Sequence, residues 1–445
     1  MRVIVIGAGQ VGEAIASSLA ADHDVVVVDT DTERVDELQY DHDVLTLAGD
    51  GTSLPVLEEA GAGSAERLIA CTDDDRTNLV ACGAAKTIGD PFTIARTKNV
   101  DYLRTWEESD AAFGANYVVC STLLSAETIV RIVGLPAAVN VEPYAGGLVH
   151  MAEFEIDATS PVTDQTIAEA DRFDSLTFAG LLRDGSAVLP GGETIIRSDD
   201  RIIVIGTPES VQQFAGDAAP NQTPDRADDI VIVGGSAIGY HAARLLEARG
   251  FTPRLIESDP DRARELAERL PDTLVMENDA TDAEFLDRER VGDADVVVSA
   301  LASDEQNLLV ALLAQRLGSQ QVIALVDNAE YVPLFEAIGV DATVNPRQAT
   351  ADEILRFSFE SAAENLTVVQ DNQAEVLELE IAADNNLAGQ TIATLDDTVP
   401  GRFVVGAITR DRSYVVPRGE TTLRDGDRVV VLADNDSVEA LVDRA

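Results

Sequence analysis

Met1-Arg-Val-Ile-Val-Ile-Gly-Ala-Gly-Gln-Val-Gly-Glu13 is the stretch whose reading decides the fold. Val3–Ile6 is an apolar, β-branched run bounded directly by Gly7, the pattern of a buried parallel strand. Gly7, Gly9 and Gly12 then supply G-x-G-x-x-G, and Glu13–Ala20 has helix-forming composition. In a strand–turn–helix context each glycine has a mechanical role. Gly7 permits the tight turn, Gly9 lets backbone approach a pyrophosphate, and Gly12 lets the helix pack closely on the strand. The helix N-terminus offers unpaired N–H groups and a positive dipole end, so phosphate binds there without a basic side chain. Gly7, Ala8, Gly9, Gln10, Val11 and Gly12 are therefore the candidate phosphate loop. A second strand, Val25–Val28, ends in Asp29, 22 positions after Gly7. That is the spacing of roughly 20 residues at which a carboxylate accepts ribose hydroxyls, and its charge repels the 2′-phosphate of NADP, which favours NAD.

Strands and helices continue to alternate. Thr30–Leu38 is a charged amphipathic helix with Val35 and Leu38 inward, and Val44–Leu47 a strand followed by Asp50. Arg67–Ala70 is a strand leading to Thr72 and Asp73–Asp75, Asn78–Thr87 a helix, and Phe92–Ala95 a strand followed by Arg96 and Lys98. Asp50 and Arg96 both fall at the carboxyl ends of strands, where open α/β sheets bind ligands. Arg96 can meet a phosphate or pair with Asp73–Asp75. Ala115–Val119 closes the sheet and Ser125–Val133 is a helix leaving it. From Val149 the pattern changes to short alternating strands around a short helix, Asp164–Ala170, as in a small α+β module. Gly216–Arg226 has linker composition, with proline and polar residues and no periodicity.

Everything after the linker repeats what precedes it. Gly7 and Gly12 align with Gly234 and Gly239, both 227 positions on, and Pro190, Glu193 and Arg201 align with Pro417, Glu420 and Arg428 at the same offset. Asp29 aligns with Glu257, Asp50 with Asp279 and Asn78 with Asn307. The chain is a tandem duplication of a two-domain unit. It is expected to form two doubly wound Rossmann-like α/β domains with parallel sheets, 1–123 and 229–346, each followed by a small α+β domain, 142–226 and 365–445. The halves differ chemically. Ser236 replaces the middle glycine and Leu325 replaces Arg96. A Cβ at 236 crowds the approach to a pyrophosphate, although the hydroxyl could donate to it. The second site, with Gly234, Gly239 and Glu257, is left open between weak binding, a different nucleotide and no ligand.

Composition narrows the function. Among 445 residues there are 80 acidic and 32 basic side chains, a formal charge of −48, with only two lysines, Lys86 and Lys98. An acidic, lysine-poor chain with normal apolar content (45%) suggests a salt-rich cytoplasm and a halophilic source. At about 1 M salt the Debye length falls to about 3 Å and self-repulsion is screened. The charge argues against nucleic acid, which needs a basic footprint. No apolar run reaches the roughly 18 residues of a membrane span, and strand one leaves no room for a signal peptide, so a soluble intracellular chain is expected. Cys71, Cys82 and Cys120 form neither a disulfide framework nor a zinc spacing, and the four histidines fit no metal pattern. No metal site and no catalytic residues are expected.

Taken together, Val3–Gly12, Val27–Arg34, Gly49–Thr52, Thr72–Asn78 and Ala95–Asn99, with Ala187–Ile205 and Tyr414–Leu432 in the small domains, resemble the TrkA family. These are the peripheral nucleotide-binding subunits of Trk-type potassium uptake systems, built from tandem modules that regulate K⁺ conductance (RCK domains). The resemblance covers nearly the whole chain. It implies that Gly7, Gly9 and Gly12 cradle the phosphates, that Asp29 holds the adenosine ribose, and that Asp50, Thr72 and Arg96 share the cleft. It further implies NAD(H), or ATP or ADP, as ligand, and a membrane-embedded Trk-type partner. Several such pairs would assemble as a homo-oligomeric ring, a dimer or tetramer, peripheral on the cytoplasmic face, with nucleotide gating the pore by domain rearrangement. Fold alone does not decide function. A soluble NAD-dependent oxidoreductase is the alternative, but the added domains are small and show no nucleophile or acid–base pair for proton transfer. A subunit of a different cation channel or antiporter is a third.

Overall fold

The computed structural model describes residues 1–445 apart from 22, 110–111, 136–137, 157, 184–185, 219–228, 359–362, 370–373, 383–384, 411–412, 443 and 445. Six strands, β1 (Arg2–Ile6), β2 (Asp24–Asp29), β3 (Leu45–Ala48), β4 (Arg67–Ala70), β5 (Phe92–Thr97) and β6 (Tyr117–Cys120), form a parallel sheet of order β3-β2-β1-β4-β5-β6. Val3 pairs with Val25 and Arg67, and Ala95 with Val118. This is the doubly wound arrangement, in which the chain reverses beside β1 and opens a crevice at the strands' carboxyl ends. Because β1 is covered on both faces, its residues feed two cores. Val3 and Val5 join one cluster with Ile15 and Leu19, and Ile4 and Ile6 join another with Leu57 and Cys82.

A five-stranded antiparallel sheet follows: β7 (Ala138–Tyr144), β8 (Val149–Glu155), β9 (Leu176–Arg183), β10 (Ser186–Val188) and β11 (Arg201–Gly206), ordered β10-β9-β11-β8-β7. The sequence pattern starts this module at Val149 and misses β7, which carries Pro143 and polar Asn140 and Glu142 among its apolar residues. An edge strand tolerates proline because one of its backbone edges needs no partner. Of the proposed linker, residues 216–218 end the helix Pro208–Ala218, and 219–226 lie outside the described residues.

The second half repeats both layers. β12 (Ile230–Val233), β13 (Arg254–Glu257), β14 (Leu274–Glu277), β15 (Val296–Ser299), β16 (Gln321–Leu325) and β17 (Ala342–Val344) form a parallel sheet of order β14-β13-β12-β15-β16-β17. β18 (Ala363–Val369), β19 (Ala374–Glu380), β20 (Phe403–Arg410), β21 (Ser413–Val415) and β22 (Arg428–Ala433) complete the small sheet, ordered β18-β19-β22-β20-β21.

The halves interlock by exchanging helices. Ser121–Val133 leaves the first sheet and buries Ala126, Ile129, Val130 and Val133 against Ile230, Tyr240 and Ala243 of the second half. Pro346–Ser358 reciprocates, placing Ala351, Ile354 and Leu355 in the first half's core with Val3, Val5 and Ile15. The small sheets also meet face to face through Met151, Ile203, Val376 and Leu432. Gly180 permits this approach, since a Cβ there would stand 2.7 Å from Leu432 Cδ2.

Candidate functional site

Where β1 ends, Gly7 turns the chain at φ +112°, and its N–H donates to Val28 O at 2.8 Å. Gly9 becomes the N-cap of the helix Gln10–Leu19 and provides no side-chain cap, so first-turn N–H groups stay open to the crevice. Gly12 lies beneath the turn, where a Cβ would stand 1.8 Å from Gly7 O. At the end of β2 the Asp29 carboxylate accepts from Ala8 N–H at 2.6 Å and from Asp31 N–H at 2.9 Å. The acid that the spacing assigns to a ribose thus also clamps the phosphate loop. A carboxylate has about four acceptor positions, so two bonds leave capacity for hydroxyl donors.

The structure brings nine of the first-half candidates to one crevice of about 880 Å³: Gly7, Ala8, Gly9, Gln10, Val11, Asp29, Asp50, Thr72 and Arg96. Gly12 is not among its lining residues; its role there is packing. Asp50 accepts from Thr52 N–H (2.9 Å) and Oγ1 (2.7 Å), bonds that hold its carboxyl below the usual range. Thr72 is fixed by buried Asn78. Asn78 Oδ1 accepts from Thr72 N–H and Oγ1, and its amide donates to Thr72 O and Arg96 O. Asn307 makes the same tie between Leu301 and Leu325 in the second half. The repeat revealed Asn78 only as an aligned position; its role as a brace between two strand ends needed the fold.

Arg96, 5% exposed, lines the crevice and pairs with an acid there: Nη1 lies 3.3 Å from Asp73 Oδ1, and Lys98 Nζ lies 2.9 Å from the same oxygen. Burial works to raise the Asp73 carboxyl. A hydrogen bond from Lys98 and the charges of Lys98, Arg96 and Arg347 outweigh it and hold the group low. Arg96 Nε, buried, has no hydrogen-bond partner among the described residues. Arg347 comes from the other half, and Gln10 Nε2 donates to Asn328 Oδ1 of that half at 3.4 Å. Sequence reasoning missed both contributions because nothing local signals them.

The second half closes its loop. Gly234 repeats the positive φ (+107°), and a Cβ on Gly239 would stand 2.1 Å from Gly234 O. Glu257 accepts from Gly235 N–H at 2.8 Å, as Asp29 does from Ala8. Ser236 does not hold its hydroxyl out for a phosphate: Oγ accepts from Gly239 N–H at 3.2 Å and caps its own helix, Ala237–Ala248. Arg262 Nε donates to Gly235 O at 2.9 Å. Gly234, Gly239 and Glu257 do not line the cleft that opens nearby, whereas Ser236 does.

Known proteins share this plan. The TrkA-N domain family matches residues 3–121 and 230–346, and the TrkA-C domain family matches 151–216 and 376–445. A Trk system potassium uptake protein TrkA homolog of Archaeoglobus fulgidus is 34% identical over 445 residues, covering 99% of each chain. The TrkA homolog 1 of Methanosarcina mazei is 33% identical over 444 residues, covering 97% of each. Among solved structures, the GsuK channel bound to NAD superposes with a TM-score of 0.61 at 20% identity, over 100% of this chain and 78% of that one, a likeness of fold. With both domain types matched twice, in the order in which the two kinds of sheet alternate, the chain belongs to the TrkA family.

Proposed function

We propose that this chain is a cytosolic regulatory subunit of a Trk-type K⁺ transporter that binds NAD(H), or another adenine nucleotide, in the first-half crevice. The observation that carries the reading is the contrast between two aligned loops. Gly9 leaves its helix N-terminus uncapped beside a roomy crevice, whereas Ser236 caps the equivalent helix. The glycine loop would take the pyrophosphate and Asp29 the ribose, with Asp50, Thr72 and Arg96 around them. Arg347 reaches the same crevice from the other half, and Asn328 of that half holds Gln10 at its edge, so a bound nucleotide would bear on both halves. A ligand that favours one arrangement of the halves shifts the equilibrium between arrangements. Coupling of about 1–3 kcal/mol changes a pore's open-to-closed ratio by roughly 5–150-fold. No described helix is long and apolar enough to cross a membrane, so the chain would act by docking as a homo-oligomeric ring on a membrane partner.

Calorimetric titration with NAD in molar KCl tests the site. Wild type is expected to bind and Asp29→Ala to bind much more weakly; undiminished binding by the variant refutes the assignment. The oxidoreductase alternative finds little to work with in the crevice. No histidine lines it, and burial pushes the Cys71 thiol up to about 12. Robust substrate-dependent NADH turnover would overturn the regulatory reading. The acidic surface belongs to the same proposal, as adaptation to a salt-rich cytoplasm. The unfolding midpoint should then rise steeply as KCl is raised from dilute buffer toward about 1 M; a flat response would refute it.

A further inference from the structure

The first small domain meets the second Rossmann-like domain at a joint whose charges are poorly balanced. Arg201 of β11 spans it. Its Nη1 lies 3.5 Å from Glu153 Oε1 on β8, and its Nη2 lies 3.5 Å from Glu336 Oε1 on the helix Val332–Ala337 of the second half. Both contacts are longer than the roughly 2.7–2.9 Å of a tight charge-assisted bond. Two more carboxyl groups belong to the joint, Glu155 on β8 and Asp341 just before β17. No cation among the described residues acts on Asp341, whereas the charge of Glu155 does. A cavity of about 220 Å³ opens here, with Glu153, Arg201 and Glu336 among its lining residues. The joint thus lacks the dry packing of the neighbouring helix exchange.

The repeat shows that an acid is not needed at position 341 for the fold. Asn116 holds the equivalent place in the first half, one residue before the last strand of its sheet, and its Oδ1 accepts from Thr93 N–H at 2.9 Å. Asp341 Oδ2 accepts from Val322 N–H at 2.6 Å. A neutral amide therefore satisfies the same backbone donor. The second half has instead a half-buried carboxyl group facing another domain. Burial pushes it up to about 6 against the Val322 hydrogen bond, and the charge of Glu155 pushes it the same way. Glu153 is raised as well, by burial first; Arg201 opposes this, and the charges of Glu336 and Glu155 add to it.

The other charged groups on elements packed against β17 are engaged with one another. These elements are β16, β7 and the helices Ser121–Val133 and Val332–Ala337. β16 carries no titratable group. Arg131 of the helix Ser121–Val133 lies 3.8 Å from Glu142 of β7 and donates from Nε to Val141 O at 3.0 Å. Glu127 of the same helix is acted on by Arg131 and Arg249. His150, toward the other end of β8, is lowered by burial first, and its charged neighbours are Arg131, Glu209 and Arg249.

We propose that Asp341 is a proton-sensitive latch between the first small domain and the second Rossmann-like domain. Protonated, it still accepts from Val322 N–H and meets Glu155 without repulsion, and the joint closes. Ionised, it stands beside Glu155 where Arg201 is already divided between two other acids, and the joint loosens. The proton then acts as a ligand that favours one arrangement of the domains. The stabilisation is present at low pH and is lost as pH rises through about 6, the value in the closed joint, against 3.8 for an ordinary aspartate. That difference allows a shift of up to about 100-fold in the open-to-closed ratio. No residue of the first crevice takes part, so the latch does not depend on a nucleotide there.

Hydrogen exchange of the full chain, corrected for the intrinsic effect of pH on exchange, reads the latch. In wild type, amides of β7 and β17 should lose at least about tenfold in protection between pH of about 5 and about 7.5. Asp341→Asn copies Asn116 and should keep both strands at their low-pH protection throughout. Glu155→Gln, at an exposed position, should move the wild-type midpoint to lower pH. Amides of β1 and β2 report global stability and should not follow the joint. Three results would overturn the proposal: the wild-type pH profile in Asp341→Asn, a response confined to β17 while β7 is unmoved, or an unchanged midpoint in Glu155→Gln. Loosening of β1 and β2 in Asp341→Asn would also count against it, since the amide would then not replace the acid in the fold.

Discussion

Gly12 sits so close beneath Gly7 that a Cβ on it would stand 1.8 Å from the Gly7 carbonyl oxygen, whereas a Cβ on Gly9 would meet only the Arg34 guanidinium at 3.7 Å. Two glycines of one motif therefore do different work. Gly12→Ala forces the helix off the strand, an overpacking cost of typically 1–3 kcal/mol or more. Gly9 has an ordinary φ of −78°, so Gly9→Ala should leave the free chain as stable as wild type while placing a methyl group where the pyrophosphate passes. Urea unfolding and NAD titration of both variants check this. The expected pattern is a destabilised Gly12→Ala, and a stable Gly9→Ala whose NAD affinity falls by at least about tenfold, the factor that 1.4 kcal/mol represents. Unchanged affinity in Gly9→Ala would remove that glycine from the phosphate cradle.

Helix exchange makes a further expectation specific. Ile354 belongs to the second half by sequence but is fully buried among Val3, Val5 and Ile15 of the first. Ile354→Ala should cost about 2–5 kcal/mol, the usual range for such a cavity. The loss should appear in the first Rossmann-like domain, as faster hydrogen exchange at β1 and β2 amides. Faster exchange confined to the second domain would contradict the observed packing.

How much of this was legible in the sequence follows from the range of each signal. Val3–Ile6, the three glycines and the repeat at 227 residues are local or periodic features, and they specify parallel strands in a doubly wound domain and the duplication. Ser125–Val133 reads as a helix, which the structure extends back to Ser121, but an apolar stripe says only that a face is buried, not against which domain. β7 was hidden by Pro143 and its polar neighbours. At the site, glycine spacing located the loop and Asp29, because those positions are tied by chain geometry. That Arg96 meets Asp73 depended on where β4 and β5 end relative to each other. Arg347 at the first crevice comes from a segment far away in sequence, so no spacing rule reaches it.

His241 should leave a mark on stability against pH. Its ring, buried near Arg244, Arg104 and Arg269, binds a proton more weakly in the folded chain, at about 4, than an ordinary histidine near 6.5. Between those values the unfolded chain carries a proton that the folded chain lacks, so stability falls as pH drops through that window and is unaffected above it. The carboxylates titrate as well, so the comparison with His241→Gln isolates the effect. Wild type should lose more of its urea midpoint than the variant between pH of about 7 and about 4.5. Parallel losses would show that the ring is not held neutral among Arg104, Arg244 and Arg269.

Ser236→Gly restores the motif in the second half and asks whether one Cβ accounts for the difference between the loops. The structure argues that it does not. Removing the hydroxyl frees Gly239 N–H, but Arg262 Nε still donates to Gly235 O. Gly235 also remains pressed toward Leu266 and Glu257, where a Cβ would meet them at 2.3 Å and 2.7 Å. Leu325, where the first half has Arg96, supplies no charge beside the loop. NAD should therefore bind Ser236→Gly with the same stoichiometry as wild type, one per chain, and the helix Ala237–Ala248 should lose roughly 1 kcal/mol or less, since glycine is itself a tolerated N-cap. A second equivalent of NAD in calorimetry would mean that the serine alone silences the site, and that Arg262 and Leu266 move aside more readily than their contacts imply.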